Sequence, residues 1–148
     1  MKNILLPVCV CSCLLSGCDS DGDTVEPNSM LEANDWQLHS YGFEVDEKVG
    51  VLDNTSYKLT FSSPSQVSGN IDCNSFVSDY KSSNSTFSID QLAVTEMACA
   101  LVGDQDYTTQ SEFIIDALTN AQQYSISDSK LIITSIDSAQ LIFSSIEN

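Results

Sequence analysis

Basic residues are scarce in this chain, which has five lysines and no arginine against 21 aspartates and glutamates, for a formal net charge of −16. Phosphate backbones and anionic lipid headgroups carry charge of the same sign, so they would repel the chain. The sequence therefore excludes nucleic acid as a partner. The surplus of carboxylates either keeps the protein soluble in a crowded or salty compartment or attracts a cationic protein. The composition leaves both interpretations open.

Residue types that carry catalysis are also few. His39 is the only histidine, so a Ser-His-Asp or Cys-His arrangement would have to use it. Zinc needs several nitrogen or sulfur ligands, and the chain has no glycine-rich nucleotide motif. Glu96, Asp104 and Asp106 are the candidates for paired-acid chemistry, although solvated loop charges explain them more simply. We expect no catalytic residue, no metal site and no cofactor, and hence no enzyme.

A long hydrophobic run is missing too. Residues 4–15 form an apolar stretch of 12 residues that Pro7 interrupts, whereas a membrane-spanning helix needs about 20. The stretch follows one charged residue, Lys2, and precedes small residues and a cysteine, which is the layout of a secretory signal peptide. Residues 1–17 are therefore predicted to be removed. The remaining 131 residues would carry four lysines and a net charge of −17.

The end of this stretch, Leu15-Ser16-Gly17-Cys18, resembles the bacterial lipobox. The resemblance implies that the Cys18 sulfur receives diacylglycerol, that the chain is cut before Cys18, and that the new amino terminus is acylated, giving a palmitate-type anchor. Two or more acyl chains hold a protein stably at a bilayer, at about 0.8 kcal/mol per buried CH₂. Asp19 resembles the inner-membrane retention signal of enteric bacteria. The predicted location is the bacterial cell envelope, facing the periplasm, at the inner membrane or alternatively the outer membrane.

Two cysteines remain for the mature domain. Three of the six cysteines leave with the predicted signal and Cys18 is lipidated, so Cys73 and Cys99 are left. Two thiols in an exported domain most simply form one disulfide. Closing their separation of 26 positions would stabilise the fold by roughly 3.5 kcal/mol. A redox-active pair is the alternative, but it lacks the C-x-x-C spacing.

The segment after the lipobox differs in composition from the rest of the chain. Residues 18–33 are polar and acidic and are predicted to form a flexible tether, with an r.m.s. reach of roughly 20 Å. The domain is predicted to cover residues 34–148. Within it, Glu44-Val45-Asp46-Glu47 forms an acidic loop between Gly42 and Gly50.

From residue 34 onward, apolar and polar residues mainly alternate, which is typical of β-strands. Short turns rich in serine, aspartate and proline separate the alternating runs. The pattern predicts strands over residues 36–41, 57–61, 66–71, 86–89, 92–94, 124–126, 131–134 and 140–143.

One segment has helical periodicity instead. Phe113, Ile114, Ala117, Leu118 and Ala121 fall on one helical face. The preceding T-x-x-E sequence at positions 109–112 is interpreted as a capping box, so we expect a helix from about residue 110 to 120 or 121. Many short strands with one amphipathic helix predict a mainly β (α+β) fold, an antiparallel meander or small barrel-like sheet.

Gly69, Cys73, Asn74 and Phe76 form a G-x-x-x-C-N-x-F block over residues 69–76, and residues 95–99 form a T-x-M-x-C block. These two blocks resemble those of the META domain (HslJ-like) heat-shock family. The resemblance covers about residues 34–144. One departure is Ser78, where the family often has glycine, so a tight turn there must be reached differently or the local strand is shifted.

This resemblance implies a compact β-rich domain similar to small barrels, with Cys73 and Cys99 as a structural pair. Asn74 and Thr95, polar residues inside otherwise apolar blocks, are interpreted as residues that satisfy backbone groups near a turn. The family has no established catalytic machinery. Its members are linked to envelope stress, heat response and novobiocin tolerance.

The leading functional hypothesis is a non-enzymatic, membrane-tethered envelope lipoprotein that acts through binding under envelope stress or antibiotic exposure. Its expected partners are the membrane, through the lipid anchor, and a protein of the envelope. One alternative is an acidic inhibitor or sequestering module for a cationic protein such as lysozyme. Another is a lipocalin-like carrier that holds a small apolar ligand in the barrel mouth. The sequence leaves the oligomeric state open.

Overall fold

The computed structural model describes residues 27–52, 55–62, 65–97 and 107–146. Within these ranges the chain forms two helices and ten strands. In chain order they are α1 (Pro27–Glu32), β1 (Asp35–Phe43), β2 (Val49–Gly50), β3 (Tyr57–Ser62), β4 (Gln66–Ile71), β5 (Asn74–Ser83), β6 (Thr86–Ile89), β7 (Ala93–Val94), α2 (Tyr107–Thr119), β8 (Ala121–Ser127), β9 (Lys130–Ser135) and β10 (Ala139–Ile146).

The strands form one antiparallel, barrel-like sheet. Eight of them follow the order β10-β9-β8-β6-β5-β4-β3-β1, and pairing between β1 and β10 from Asp35↔Ile146 to Phe43↔Ala139 closes the circle. The short strands β2 and β7 add to β1 and β5. The predicted mainly β fold with an amphipathic helix is confirmed.

The side chains that point into the barrel form its buried core. In β3, Tyr57, Leu59 and Phe61 are buried while Lys58 and Thr60 between them are partly exposed, which is the period of two that a one-sided core requires. The largest fully buried side chains are Trp36, Tyr57, Tyr80 and Phe143. Each such burial contributes about 1.5–3 kcal/mol, so the interior is the main source of stability.

A row of aromatic rings spans the weakest junction of the barrel. Strands β6 and β8 pair only through Thr86↔Gln123. Phe87 of β6 packs at 5.8 Å from Tyr124 of β8 and at 6.0 Å from both Phe61 and Tyr80. Edge-to-face and tilted ring pairs contribute about 0.5–1.5 kcal/mol each beyond their buried area, so side chains hold this junction where backbone hydrogen bonds are few.

Helix α2 packs against β4, β6, β9 and β10 and covers the barrel end at which β1 finishes. Its buried face contains Ile114, Ala117 and Leu118, as the periodicity predicts. The helix begins at Tyr107, two residues before Thr109. Thr109 therefore lies inside the first turn, and the capping-box interpretation is wrong. Ala121, placed on the helical face by spacing, belongs to β8.

Helix α1 packs against β3 and β5 where β1 begins. Leu31 is fully buried, and its carbonyl accepts a hydrogen bond from Trp36 Nε1 at 2.9 Å. Residues 27–33, the described part of the predicted tether, are therefore packed on the domain. The polar composition of the segment did not reveal this packing, because Leu31 becomes buried only through its contacts with the assembled core. Residues 1–26, with the predicted signal peptide and Cys18, lie outside the described residues.

The sequence pattern missed β5, the longest strand. Ser78 lies within it and is buried, and its hydroxyl donates to the carbonyl of Gln91 at 3.1 Å. Val77, its neighbour, is exposed on the outer face. A polar residue facing inward and an apolar one facing outward cancel the alternation by which strands are recognised. The position that departs from the family pattern is thus a strand residue tied to a neighbouring loop.

Candidate functional site

The two sequence blocks that contain the cysteines meet at the start of β5. Asn74 Oδ1 accepts hydrogen bonds from the backbone N–H of Met97 at 2.7 Å and from Thr95 Oγ1 at 3.1 Å. The same Thr95 oxygen accepts the N–H of Ser75 at 3.0 Å. Asn74 and Thr95 therefore satisfy backbone groups, as the sequence interpretation proposed.

Gly69 is required beside this junction. A Cβ atom added to it would lie 1.8 Å from the carbonyl oxygen of Lys58 and 2.9 Å from Cε1 of Phe76. Backbone cannot yield to such an overlap, so β3 and β4 can approach here only if the residue has no side chain. The glycine of the first block thus has a packing role.

Cys73 lies in the turn between β4 and β5, immediately before Asn74. Cys99 lies outside the described residues, two positions after Met97. Two residues of extended chain span at most about 7 Å, and Met97 is hydrogen-bonded to Asn74. The disulfide between Cys73 and Cys99 stays a prediction, and the described geometry brings the flanking segments together.

A second polar cluster lies under α2. Gln110 is buried; its Nε2 donates to Tyr57 Oη at 2.9 Å and its Oε1 accepts the backbone N–H of Leu52 at 3.0 Å. Tyr57 Oη also lies 3.0 Å from Ser111 Oγ. Sequence reasoning did not single out Gln110, although it stands four residues before Ile114 and so falls on the buried face. The cluster joins the helix to β3 and the loop before it.

Two further polar contacts connect α1 and the start of β1 to neighbouring strands. Asp35 forms an ion pair with Lys58 and accepts the Thr60 hydroxyl at 2.8 Å. The hydrogen bond from Lys58, followed by that from Thr60, holds the pKa of Asp35 below its ordinary value against the opposing effect of burial. Tyr80 Oη donates to Glu32 at 3.3 Å. Burial, with the nearby Glu32 carboxylate, raises the pKa of Tyr80 to about 12.

Of the four candidates for catalysis, the structure describes two. His39 is exposed on β1, and Glu96 is exposed after β7, while Asp104 and Asp106 lie outside the described residues. In the described ranges, no group of three His, Cys, Asp or Glu residues is placed to hold a metal ion. No helix within the same ranges is long and apolar enough to cross a membrane.

Two open depressions lie on the surface formed by the described residues. One of about 320 Å³ lies at the junction of β5, β6 and β8 and is lined by Ser82, Thr86, Phe87 and Gln122, among others. Another, of about 370 Å³, is lined by Gln66 of β4, by residues 77–79 of β5 and by Asp90 and Gln91, which follow β6. Both are open to solvent, whereas ligand sites of carriers enclose most of the ligand surface.

An apolar surface lies at the turn from β1 to β2. Val45 is 93% exposed, Val49 is 55% exposed and Phe43 is 41% exposed. The Phe43 ring meets Phe113 of α2 edge to face at 5.6 Å, and Tyr41 packs against the same ring at 5.1 Å. We call these five residues, Tyr41, Phe43, Val45, Val49 and Phe113, the hairpin surface. Sequence reasoning noted the acidic loop here but not the apolar side chains, because Phe113 joins them only through the fold.

Similar structures have been solved. A protein from Burkholderia xenovorans, determined by NMR, superposes with a TM-score of 0.65 at 18% identity, covering 82% of this chain and 87% of that one. A crystal structure of a DUF4847 family protein from Bacteroides vulgatus gives a TM-score of 0.60 at 12% identity, covering 82% and 98%. At these identities the likeness concerns the fold alone.

No curated protein matches the chain in sequence. The model of the META domain family matches residues 29–148. The match begins within α1, five residues before the predicted boundary at residue 34, in agreement with the packing of Leu31. It includes both cysteine blocks and the closing strands, and it confirms the resemblance seen in the sequence. The chain belongs to the META domain family.

Proposed function

We propose that this protein is a lipid-anchored, non-enzymatic META domain protein of the bacterial cell envelope, which acts through binding in envelope stress or antibiotic tolerance. The observation that carries the proposal is the lipobox-like sequence at residues 15–18, followed closely in the chain by α1, which begins at Pro27. Eight residues separate Cys18 from α1. An unstructured segment of this length has an r.m.s. reach of about 16 Å, which would keep the domain near the membrane surface.

The arrangement of polar side chains supports binding over catalysis. Asn74, Gln110 and Asp35 each direct their hydrogen bonds to backbone groups or to partners within the fold. A catalytic acid or base must instead present its reactive atom to a substrate. These clusters stabilise the domain and leave its outer surface as the part that meets other molecules.

The proposal includes a disulfide between Cys73 and Cys99, supported by the contact between Asn74 and Met97. Alkylation of the denatured protein without reduction should label neither cysteine, and prior reduction should label both. Labelling of both without reduction would contradict the bridge.

The role is tested in the native cells. Deletion of the gene should lower survival after heat, oxidants or an aminocoumarin antibiotic, and the wild-type gene should restore it. The Cys18→Ser variant, produced in equal amount, should fail to restore survival because it lacks the anchor. Unchanged survival of the deletion strain, or full rescue by Cys18→Ser, would contradict the proposal.

A second candidate is sequestration of a cationic protein, for which lysozyme is a test case. The hairpin surface favours it, because exposed apolar side chains stand among carboxylates. Inhibition of lysozyme at low ionic strength would support this candidate, and unchanged lysozyme activity would argue against it. The lipocalin-like carrier has no comparable support, since the inward-facing side chains of the described barrel form one cluster of buried residues.

A further inference from the structure

Four residues of the hairpin surface are neighbours in the fold, and Val45 lies in the turn that follows Phe43. Val49 is the register partner of Tyr41, and Tyr41 and Phe43 both pack against Phe113. Single exposed apolar residues are common on proteins, but a connected group of them marks an interaction site more often. Val45, at the tip, has the highest exposed fraction of the large apolar side chains in the described residues.

The loop that carries this surface is held in place by its own lysine. Lys48 Nζ donates to the backbone carbonyls of Phe43, Glu44 and Asp46, the last two at 3.3 and 3.1 Å. The backbone N–H of Glu44 also donates to the carbonyl of Ser138 at 2.9 Å. A loop fixed in this way loses less conformational entropy when a partner binds. The surface is therefore preorganised for binding.

Carboxylates outnumber cations around the surface. Glu44, Asp46 and Glu47 are exposed in the loop, and Glu112 is exposed next to Phe113. The one cation of the loop, Lys48, points its ammonium group at backbone carbonyls. Such a rim repels anionic lipid headgroups and attracts lysine and arginine side chains. Charge complementarity thus indicates a basic polypeptide in preference to a membrane.

We propose that the hairpin surface binds a basic polypeptide that carries an exposed apolar side chain. Val45 and Phe43 supply the apolar contact, while the carboxylates of Glu44, Asp46 and Glu47 complement the basic residues of the partner. The inference deepens the proposed binding function and rests on it. It names the surface used and the chemistry of the partner.

The test uses the full chain in phosphatidylcholine nanodiscs, with lysozyme as the cationic probe and succinylated lysozyme as the control of reversed charge. We expect binding of lysozyme at 20 mM salt, at least tenfold weaker binding at 200 mM salt, and no binding of the succinylated form. Absence of lysozyme binding at 20 mM salt would overturn the inference.

Matched variants locate the binding. Val45→Ser should weaken lysozyme binding about fivefold, the loss expected for one exposed valine contact of about 1 kcal/mol. The control Ile136→Ser removes an apolar side chain that is 71% exposed on the turn after β9 and should change binding less than twofold. Both positions are exposed, so both variants should fold.

Charge is tested in the same manner. Glu47→Gln should weaken binding at 20 mM salt at least threefold, whereas Asp128→Asn, which removes the same charge at the exposed turn between β8 and β9, should change it less than twofold. Equal effects would mean attraction by net charge alone and would overturn the assignment. Val45-dependent binding to phosphatidylglycerol vesicles instead would assign the surface to lipid and also overturn it.

Failure of the inference can be told apart from failure of the proposed function. Lipidation of Cys18 and the survival of the deletion strain are measured without lysozyme. If both hold while the hairpin variants leave binding unchanged, only the assigned surface is wrong.

Discussion

The side-chain oxygen of Asn74 accepts the backbone N–H of Met97 at 2.7 Å, across 23 positions of sequence. This contact fixes the segment after β7 to the start of β5. It brings together the two sequence blocks by which the family is recognised, each of which contains one of the two cysteines of the domain. The blocks are therefore two halves of one structural junction, with Thr95 as the bridge between them.

Asn74→Ala should lower the free energy of unfolding by about 1–2 kcal/mol, because the Met97 N–H and the Thr95 hydroxyl lose their acceptor. Urea denaturation measures the change. The matched control is Asn70→Ala on β4, whose amide donates one bond of 3.3 Å to Ser75 Oγ and whose loss should cost less than about 0.5 kcal/mol. Equal losses for the two variants would contradict a special role for Asn74.

Leu31→Ala should destabilise the domain by about 2–5 kcal/mol, since it leaves a cavity where a fully buried leucine packed. Met30 precedes it on the same helix and is 43% exposed, so Met30→Ala should change stability by less than about 0.5 kcal/mol. Thermal and urea unfolding of both variants test whether α1 belongs to the domain. A negligible effect of Leu31→Ala would indicate that residues 27–33 belong to the predicted tether rather than to the domain.

Gln110→Leu should lower stability by about 1–3 kcal/mol, because the buried N–H of Leu52 loses its acceptor and the Tyr57 hydroxyl loses a donor. Thr109→Ala is the neighbouring control. Thr109 is exposed and lies inside the helix, so its replacement should cost less than the roughly 1 kcal/mol typical of an N-cap. A larger loss of stability for Thr109→Ala than for Gln110→Leu would support the capping-box interpretation instead.

The ion pair of Asp35 gives stability a defined dependence on pH. Since the folded-state pKa of Asp35 is below its ordinary value of 3.8, the unfolded chain takes up the proton first as the pH falls. The contribution is fully present above about pH 5 and is lost as the pH falls below 3.8 through the folded-state pKa. Asp35→Asn should therefore lower stability by about 1–2 kcal/mol at neutral pH and by progressively less below pH 4.

The control for that measurement is Asp90→Asn. Asp90 lies 3.7 Å from Lys81, and both side chains are more than half exposed, so this pair should contribute less than about 0.5 kcal/mol at any pH. Unfolding curves of both variants and the wild type between pH 3 and pH 7 test the difference. A gap between wild type and Asp35→Asn that stays constant with pH would contradict the pKa assignment.

The alternation of apolar and polar residues was sufficient to predict the strands whose inward-facing residues are all apolar. The predicted bounds of β4 and β6 agree with the structure, and Tyr57, Leu59 and Phe61 identified β3. Strand β5 was missed because Ser78 faces inward. The pairing of β1 with β10 joins the two ends of the domain, and periodicity within a short window holds no information about such a contact.

The candidate site likewise contains some residues that the sequence identified and others that it did not. Asn74 and Thr95 were found because they stand out as polar residues within their blocks. Gln110 was accessible from helical spacing but was not recognised. The hairpin surface depends on Phe113 of α2 meeting Phe43 of β1, 70 positions away. Only the assembled fold shows that these residues form one surface.

The most direct test of the central claim is the mass of the amino-terminal peptide of the protein isolated from bacterial membranes. The account predicts a peptide that begins at Cys18 and carries diacylglycerol on sulfur and an acyl chain on the amino group. A peptide that begins at Met1, or one that contains an unmodified Cys18, would contradict a lipid-anchored envelope protein.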